Sequence, residues 1–509
     1  MNGADLPRKR SSLDLRARWK VWYTTRGVGH ADEFGALAPG LQSRVEWLDE
    51  HAIQEGLPFL IAPDGAFDVE LNSFFLTVRM AGFSANTQTA YAVDMARFFD
   101  FLWHNRDSNG PRLWRDATVE DRRAYFVWRN LDERGPRVEA STWNREVATL
   151  GGFYTWASQK RLIGKSPMSM RPSRKRPFGR TFPRQDWSIE TPSEKRRDTG
   201  EPSVNWLTPS EYRRWRDVGI RGFGADGFRD RNFRGDLAGR NVVFADLMIR
   251  TGLRLSEEAS LTIFDIPPRD VHRDYVAGKI SKRTAKYESG RTVYYPSTVL
   301  RDLEAYVRGD RAESIERAYA NGHNIPRSDS FLVHDPTIPI ARTPDGRSVR
   351  IAKLNPAERR RVLVRRDGYW EPALVWLTQG GLPMSTRSWQ SVFKDANSRC
   401  ERHDVRIKCH PHALRHSYAV IELERRQQMQ LLALSMSEPD RRTYARLIHG
   451  DPLDWVRIRL GHASKLTTLK YVHALADMDP ETRRDVASAD WGFPDAENES
   501  GESRKERDT

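Results

Sequence analysis

Apolar residues recur at helical spacing in four stretches between residues 68 and 165. In the first stretch, Leu71, Phe74 and Val78 lie at i, i+3 and i+7, which places them on one face of a helix. The four stretches cover 71–78, 87–102, 125–128 and 142–156. Because each presents an apolar face, they predict a bundle of short helices with an aromatic core, a domain over about 67–168.

Residues 1–66 precede this bundle and are predicted to be a separate N-terminal accessory segment. Glycines at 27, 29, 35 and 40 mark loops within it. A small helical core could form from its apolar residues, Trp19, Val21, Trp22, Val45, Trp47 and Leu48.

Helical periodicity disappears between residues 169 and 205, where prolines at 172, 177 and 183 alternate with cations. Proline blocks helix formation and strand pairing, so this segment is predicted to be an extended linker. The next domain, 206–491, begins with Thr208-Pro209-Ser210-Glu211. Threonine as N-cap, proline at the first helical position and glutamate at the third form a capping box, which predicts a helix start.

Helical patterns continue through the second domain and are interrupted by short β signals near 275–276 and 291–295. These signals predict a small antiparallel sheet. Residues from about 325 to 385 contain several prolines and the pair Gly380-Gly381, and they are predicted to be an insertion. Residues 492–509 have almost no core-forming side chains and are predicted to be a disordered tail. The predicted fold class is mainly α, with a helical N-terminal domain and an α+β second domain.

Charge and cysteine content narrow the class of protein. The formal net charge is +14 and the sequence pI is about 9.8, which favours a polyanionic partner. The two cysteines, Cys400 and Cys409, argue against a disulfide scaffold and fit a reducing cytoplasm. Since no apolar stretch approaches the roughly 18–20 residues that span a bilayer, we expect a cytoplasmic protein with no membrane partner.

Five residues suited to phosphodiester chemistry stand in three motifs of the second domain. They are Arg254 in Thr251-Gly252-Leu253-Arg254-Leu255-Ser256-Glu257, His412 and Arg415 in Pro411-His412-Ala413-Leu414-Arg415-His416, and His462 and Tyr471, which lie nine residues apart. A phosphodiester exchanged without a metal needs a nucleophile, positive charge for the pentavalent intermediate and a proton donor for the leaving oxygen. A phenol can supply the first, and guanidinium groups that grip two phosphate oxygens can supply the second.

The two histidines have candidate roles of their own. His412 and Arg415 are at i and i+3, so they would share one helix face and reach the same phosphate. His412 could act as a general base and His462 as a hydrogen-bond donor to a phosphate oxygen. Taken singly, each histidine is more often structural, and His462 after a glycine could simply cap a helix.

This order of motifs resembles the tyrosine recombinase, or phage integrase, family. The helical bundle adds looser matches in the right order, Thr87…Tyr91…Phe98 and Ser141-Thr142-Trp143-Asn144-Arg145. The resemblance implies an N-terminal helical core-binding (SAM-like) domain and a mostly helical catalytic domain with a small antiparallel sheet. It also implies a lysine on a β-hairpin as proton donor. Lys286 fits the family's Lys-x4-Arg-x-Val pattern, Lys279 and Lys282 compete for the role, and Glu257 matches a position that orients the basic groups.

The resemblance further implies site-specific cleavage and rejoining of double-stranded DNA. Tyr471 would form a 3′-phosphotyrosine and release a 5′-hydroxyl, and no metal, ATP or other cofactor would be needed. Four protomers would assemble on two recombination sites, with accessory proteins or a sibling recombinase as further possible partners. The length of the chain favours the integrase of a mobile element. The cations of the linker would lie along DNA phosphates, or the linker would be a solvated tether. These cations are Arg171, Arg174, Lys175, Arg176 and Arg180.

Other interpretations stay open. A type IB topoisomerase or a telomere resolvase would use a similar set of residues, and a DNA-binding or architectural protein could keep the fold without the activity. A metal site built from Cys400, His403, Cys409, His410 and His412 has a spacing that matches no common zinc pattern. Residues 1–66 could touch an accessory DNA site, contact a partner subunit or pack on the neighbouring domain. The insertion at 325–385 and an extra stretch near 427–451 could alter DNA contacts, or they could be surface decoration.

Overall fold

The computed structural model of the chain describes most of its residues. These are residues 18–24, 53, 56–104, 112–168, 170–172, 190–192, 196, 204–285, 289–323, 325–434 and 451–488. The chain divides into two compact units, Met1–Thr199 and Gly200–Thr509. The disordered tail predicted for 492–509 lies outside the described residues.

The first unit is a helical domain built on an aromatic core. Its helices are α1 (Val69–Ser73), α2 (Val78–Ala81), α3 (Ala85–His104), α4 (Val119–Asn130) and α5 (Ala140–Gln159). Phe98 of α3, Tyr125 of α4 and Phe153 of α5 are fully buried in one cluster. The helical periodicity therefore predicted this bundle correctly.

The helix predicted from Leu71 to Val78 is divided in two. Helix α1 ends at Ser73, a 3-10 turn covers Phe74–Leu76, and Thr77 caps α2 by accepting a hydrogen bond from the backbone N–H of Met80. Because the threonine hydroxyl also donates to the carbonyl of Phe74, it competes with the continuing helix for backbone partners.

A helical core was the wrong prediction for the described part of residues 1–66. Strand β1 (Lys20–Tyr23) pairs antiparallel with β2 (Pro58–Ile61). Trp19 and Leu60 are buried in the same cluster as the helices of the first unit. Of the three open roles, packing on the neighbouring domain is therefore observed, whereas Val45, Trp47 and Leu48 lie outside the described residues.

Strand pairing also occurs within the proline-rich linker. Strand β3 (Met170–Pro172) pairs antiparallel with β4 (Glu190–Pro192), so the prediction that proline would prevent pairing is wrong here. Each proline stands at the end of its strand, where the missing N–H is tolerated. Farther along, the backbone N–H of Arg196 donates to Asn144 of α5, and its guanidinium donates to Asn130 of α4.

The second unit is mainly helical. Its longer helices are α6 (Pro209–Trp215), α7 (Ala238–Thr251), α9 (Ser297–Arg308), α10 (Asp310–Ala320), α12 (Thr386–Arg402), α13 (Pro411–Leu434), α14 (Pro452–Leu460), α15 (Leu466–Ala476) and α16 (Pro480–Ser488). Two one-turn helices, α8 (Leu255–Glu258) and α11 (Pro356–Arg359), complete the set. The predicted capping box at Thr208 and Glu211 is present at the start of α6. Beyond α6 the helix continues as a π turn, Arg216–Ile220.

The predicted small sheet is a two-stranded antiparallel hairpin. Strand β5 (Tyr275–Ile280) pairs with β6 (Arg291–Pro296), and the register places Ile280 opposite Arg291. The mainly helical fold, the helical N-terminal domain and this small sheet confirm the predicted fold class.

The predicted insertion is a second, larger sheet in its described part. Its strands are β7 (Phe331–Val333), β8 (Ile340–Arg342), β9 (Ser348–Arg350), β10 (Val362–Arg366) and β11 (Tyr369–Pro372), in the order β11-β10-β7-β8-β9. Trp376, near the end of the predicted insertion, is fully buried and stacks on Tyr306 of α9. This end of the segment is thus part of the main core and not surface decoration. In the 427–451 stretch, residues to Leu434 extend α13, and 435–450 lie outside the described residues.

Candidate active site

A buried carboxylate, that of Glu257, binds one arginine of the first motif and one arginine of the hairpin. Glu257 of α8 is 1% exposed, and its Oε1 accepts from Arg254 Nη1 at 2.7 Å. Arg291, the first residue of β6, donates to both carboxylate oxygens, at 2.9 and 2.7 Å. The predicted orienting role of Glu257 is consistent with these contacts.

The electrostatics of Glu257 follow from this pairing. Burial alone would raise the pKa of the carboxyl, but hydrogen bonds from Arg291 and the charges of Arg291, Arg254 and Arg415 outweigh it and hold the pKa at about 2. Three guanidinium groups thus surround one carboxylate. The cluster keeps a surplus of positive charge that suits a phosphate.

Arg415 reaches the same cluster from α13, a helix more than a hundred residues farther along the chain. Its guanidinium donates to the backbone carbonyls of Gly252 and Leu460, which close helices α7 and α14. Burial and the charge of Arg254 lower the pKa of Arg415 to about 9, so the group stays cationic at neutral pH. Its side chain is only 3% exposed.

Two glycines make these helix ends possible. Gly252 and Gly461 both have left-handed backbone, with φ of 65° and 63°, and they terminate α7 and α14. A Cβ on Gly252 would lie 2.4 Å from the Tyr418 ring, and one on Gly461 would lie 3.2 Å from Arg291 Cδ. The carbonyl of Gly461 also lies 3.5 Å from Arg254 Nη2, so both helix ends present carbonyls to the arginines.

Tyr471 of α15 is fully buried, and its hydroxyl is hydrogen-bonded to His416. The Tyr471 oxygen lies 2.9 Å from Nδ1 of His416, which stands one residue after Arg415 on α13. The Lys470 ammonium lies 5.1 Å from the centre of the Tyr471 ring. Burial raises the pKa of Tyr471 to about 12 although Arg415 and Arg254 act against it, so the phenol is protonated at neutral pH.

The ring of His462, which belongs to the same motif as Tyr471, stacks against the ring of this tyrosine. The rings of His462 and Tyr471 are 6.3 Å apart and nearly parallel, and Nδ1 of His462 is hydrogen-bonded to the Thr468 hydroxyl at 3.0 Å. Burial and the charges of Arg415 and Arg254 lower the pKa of His462 to about 3. Burial and the charges of Lys470 and His412 lower the pKa of His416 to about 3 as well. Both rings are therefore neutral at physiological pH.

The structure brings five of the six predicted catalytic residues into one region of the second unit. These are Arg254, His412, Arg415, His462 and Tyr471. His412 is exposed at the start of α13, and its ring lies 6.2 Å from that of His416. Lys286 belongs to the part of the β5–β6 connection, residues 286–288, that lies outside the described residues, so its role stays a prediction.

Two residues at the site had no role in the sequence-based prediction. Arg291 stands in the same Lys-x4-Arg-x-Val pattern that pointed to Lys286, and His416 directly follows Arg415. The local signal for both was present. Their partners, Glu257 and Tyr471, are distant in sequence, so only the fold identifies the contacts.

Most of the linker cations that were predicted to contact DNA lie outside the described residues. Arg171 lies on β3 without a described side chain, and Arg174, Lys175, Arg176 and Arg180 lie outside the described residues, so their DNA contacts stay predictions.

Within the described residues no group of three or more His, Cys, Asp or Glu side chains could hold a metal ion. Cys400 and Cys409 are both free and buried. None of the described helices is long and apolar enough to cross a membrane.

Part of the first unit is similar to a known protein family. Residues 71–161 match the family model of the phage integrase N-terminal SAM-like domain. No curated protein gives a significant match.

Similar solved structures include three recombinase complexes with DNA. XerH site-specific recombinase, bound to palindromic difH substrate after cleavage, is 13% identical over 79% of both chains, with a TM-score of 0.41. Tn1549 transposon integrase with circular intermediate DNA is 16% identical over 80% of this chain and 97% of that chain (TM-score 0.40). A lambda integrase dimer bound to a COC′ core site is 10% identical over 79% of this chain and 93% of that chain (TM-score 0.40).

The family model thus confirms, on the helical bundle, the resemblance that the motifs indicated. Residues 71–161 of this chain are similar to the N-terminal SAM-like domain of the phage integrase family.

Proposed function

We propose that the chain is a tyrosine-type DNA strand transferase that cleaves and rejoins DNA through Tyr471. One observation carries the proposal. Arg254, Arg291 and Arg415 bring an excess of positive charge to the Glu257 carboxylate. The charges of Arg254 and Arg415 also act on His462 and Tyr471, whose rings stack on each other. The phage integrase SAM-like domain in the same chain supports DNA as the substrate.

The proposed chemistry assigns one task to each group. The Tyr471 oxygen attacks the scissile phosphorus, forming a 3′-phosphotyrosine while the bond to the 5′ oxygen breaks. Arg254 and Arg415 stabilise the charge that develops on the phosphate oxygens. His462 donates a hydrogen bond to one of these oxygens, and Lys286 protonates the leaving 5′ oxygen. Attack by a 5′-hydroxyl of the partner strand reverses the step, so bond energy is conserved without ATP or metal.

The tyrosine needs activation before it can react. Its hydroxyl is buried and held by His416, and the pKa values of about 12 and about 3 make proton transfer from the phenol to this imidazole strongly unfavourable. His416 therefore anchors the phenol in this state and does not act as its base. We propose that DNA binding moves α15 so that Tyr471 leaves His416 and meets the phosphate. The general base role of His412 belongs to that DNA-bound state.

Covalent trapping tests the proposal. The protein is incubated without metal on nicked suicide substrates taken from the ends of its own element, and protein–DNA adducts that resist denaturation are measured. Wild type should form the adduct, and Tyr471→Phe should form none while keeping its DNA affinity. Arg415→Ala should reduce adduct formation by about 100-fold or more, since it removes charge that stabilises the transition state.

The alternatives appear as distinct outcomes of this experiment. DNA binding without an adduct on the true sites would contradict the enzyme and favour a DNA-binding or architectural protein of the same fold. Relaxation of supercoils without strand exchange would favour a type IB topoisomerase, and closed hairpin ends would favour a telomere resolvase. Integration for a mobile element, and assembly of four protomers on two DNA sites, belong to the same proposal.

A further inference from the structure

A solvent-open groove lies beside the tyrosine site, between the β5–β6 hairpin and the turn that follows β9. Its volume is about 570 Å³. One wall carries Lys279, Lys282 and Arg283 from the hairpin, and the other carries Lys353 from the 3-10 turn Ile351–Lys353 of the inserted sheet. All four cations are exposed, so a polyanion could reach them.

The described residues give this groove an excess of positive charge. Within the described part of the chain, none of the four cations forms a salt bridge with a carboxylate. The one carboxylate in the lining, Asp265, accepts from Arg359 Nη1 at 2.7 Å and from the Thr262 hydroxyl at 2.6 Å. Because Arg359 already neutralises Asp265, the groove keeps its charge for an external anion.

The wall contributed by the insertion is held rigidly. Arg359 is 1% exposed and also donates to the carbonyls of Ser260 and Ile351, at 3.2 and 3.3 Å. It therefore ties the turn that carries Lys353 to the segment that follows Glu257 and Glu258. A backbone hydrogen bond from Ile263 to Ala373 (2.9 Å) fixes the other side of the sheet.

The groove borders the candidate active site through shared residues of the hairpin. Gly290, Arg291 and Thr292 line it, and the same three residues line a second groove of about 580 Å³ that contains Gly461 and His462. Arg291 also binds Glu257. A DNA strand whose scissile phosphate lies near His462 could thus place a neighbouring phosphate against Lys353 and the hairpin cations.

We propose that this groove is a second phosphate site for duplex DNA, completed by Lys353 of the inserted sheet. The proposal rests on the proposed function for its substrate, and it gives the insertion a role in DNA binding. Each Lys or Arg that contacts a phosphate releases counterions and steepens the salt dependence of binding by about 0.9 in log–log slope.

The test measures salt dependence of binding to a duplex of random sequence, between about 50 and 200 mM salt. Lys353→Ala should lower the slope by about 1 and weaken binding about five-fold at about 0.15 M salt. Arg283→Ala, on the opposite wall, should have the same effect. The matched control is Arg365→Ala, which removes an exposed cation from β10, three strands away from β9 in the same sheet and outside the groove. This control should keep the wild-type slope.

The groove would be overturned as a phosphate site if Lys353→Ala left the salt dependence of DNA binding unchanged. The same conclusion would follow if Arg365→Ala lowered this salt dependence as much as Lys353→Ala does. Trapping separates this result from the proposed function. If wild type forms the Tyr471 adduct while Lys353→Ala keeps the wild-type slope, the groove proposal alone fails. If wild type forms no adduct but Lys353→Ala and Arg283→Ala still lower the slope, the groove stands and the strand-transfer proposal fails.

Discussion

At the scale of single residues, the hydrogen bond between Tyr471 and His416 holds the phenol in a buried, protonated form. A buried hydroxyl needs a hydrogen-bond partner, and the neutral imidazole provides one. The arrangement keeps the proposed nucleophile protonated and away from solvent. In the proposed reaction, the free energy needed to break this hydrogen bond is part of the activation of Tyr471.

A double-mutant cycle measures the coupling between these two side chains. His416→Leu should lower the free energy of unfolding by about 1–3 kcal/mol, because it leaves the buried Tyr471 hydroxyl without its partner. In a Tyr471→Phe background the same substitution should cost about 1 kcal/mol less. Urea denaturation of the four proteins gives the coupling, and strictly additive effects would contradict the anchoring role of His416.

At the scale of elements, the site is assembled from helix ends. Helices α7 and α14 both stop at left-handed glycines, and the carbonyls near these stops accept hydrogen bonds from Arg415 and Arg254. The arginines are thus positioned by backbone groups that a helix leaves unpaired at its C-terminus. Any change in how these helices end should shift the guanidinium groups that are proposed to bind phosphate.

Gly252→Ala tests this element against a matched control. The new Cβ would meet the Tyr418 ring at 2.4 Å in addition to the strain of a left-handed backbone, so we expect a loss of more than about 2 kcal/mol in unfolding free energy. Gly322→Ala has nearly the same φ, 67°, with no atom within 4 Å of the added Cβ, and it should cost only about 1 kcal/mol. Equal losses in urea denaturation would show that the close packing against Tyr418 has no energetic weight.

At the scale of the whole molecule, charge balance in the second unit depends on two adjacent glutamates in opposite environments. Glu257 is surrounded by arginines and has a lowered pKa. Glu258 is fully buried, neither of its carboxyl oxygens has a hydrogen-bond partner among the described residues, and burial raises its pKa well above the usual value. Glu257 is therefore ionised in the folded protein, whereas burial favours the neutral form of Glu258.

The two glutamates predict opposite effects on stability. The folded-state pKa of Glu257, about 2, is below the ordinary value of 4.5, so its contribution is complete above pH 4.5 and is lost as pH falls towards 2. Glu257→Gln should cost about 3 kcal/mol at pH 7 and less than half of that at pH 3. Glu258→Gln should leave stability unchanged or increase it at pH 7, since a raised carboxyl pKa destabilises the folded state above the ordinary pKa.

Chemical denaturation at pH 7 and pH 3 checks both substitutions. A pH-independent cost for Glu257→Gln would contradict the assigned charge state of Glu257. A large loss at pH 7 for Glu258→Gln would show that the Glu258 carboxylate is paired and ionised in the folded protein.

Local patterns in the sequence determined much of this protein. Helical periodicity located α3, α4 and α5, the capping box located the start of α6, and β propensity located β5 and β6, because these signals act between residues close in the chain. The motifs around Arg254, Arg415 and Tyr471 named the residues of the candidate site for the same reason.

The tertiary structure decided what depends on contacts between distant segments. It paired β1 with β2, built a sheet from the insertion, joined Arg291 to Glu257 and placed His416 on Tyr471. Residues 416 and 471 share no local pattern, and only the packing of α13 against α15 makes them neighbours. A hydrogen bond or ion pair between distant segments is specified by the whole fold, so the identity of each partner could be known only once the chain was folded.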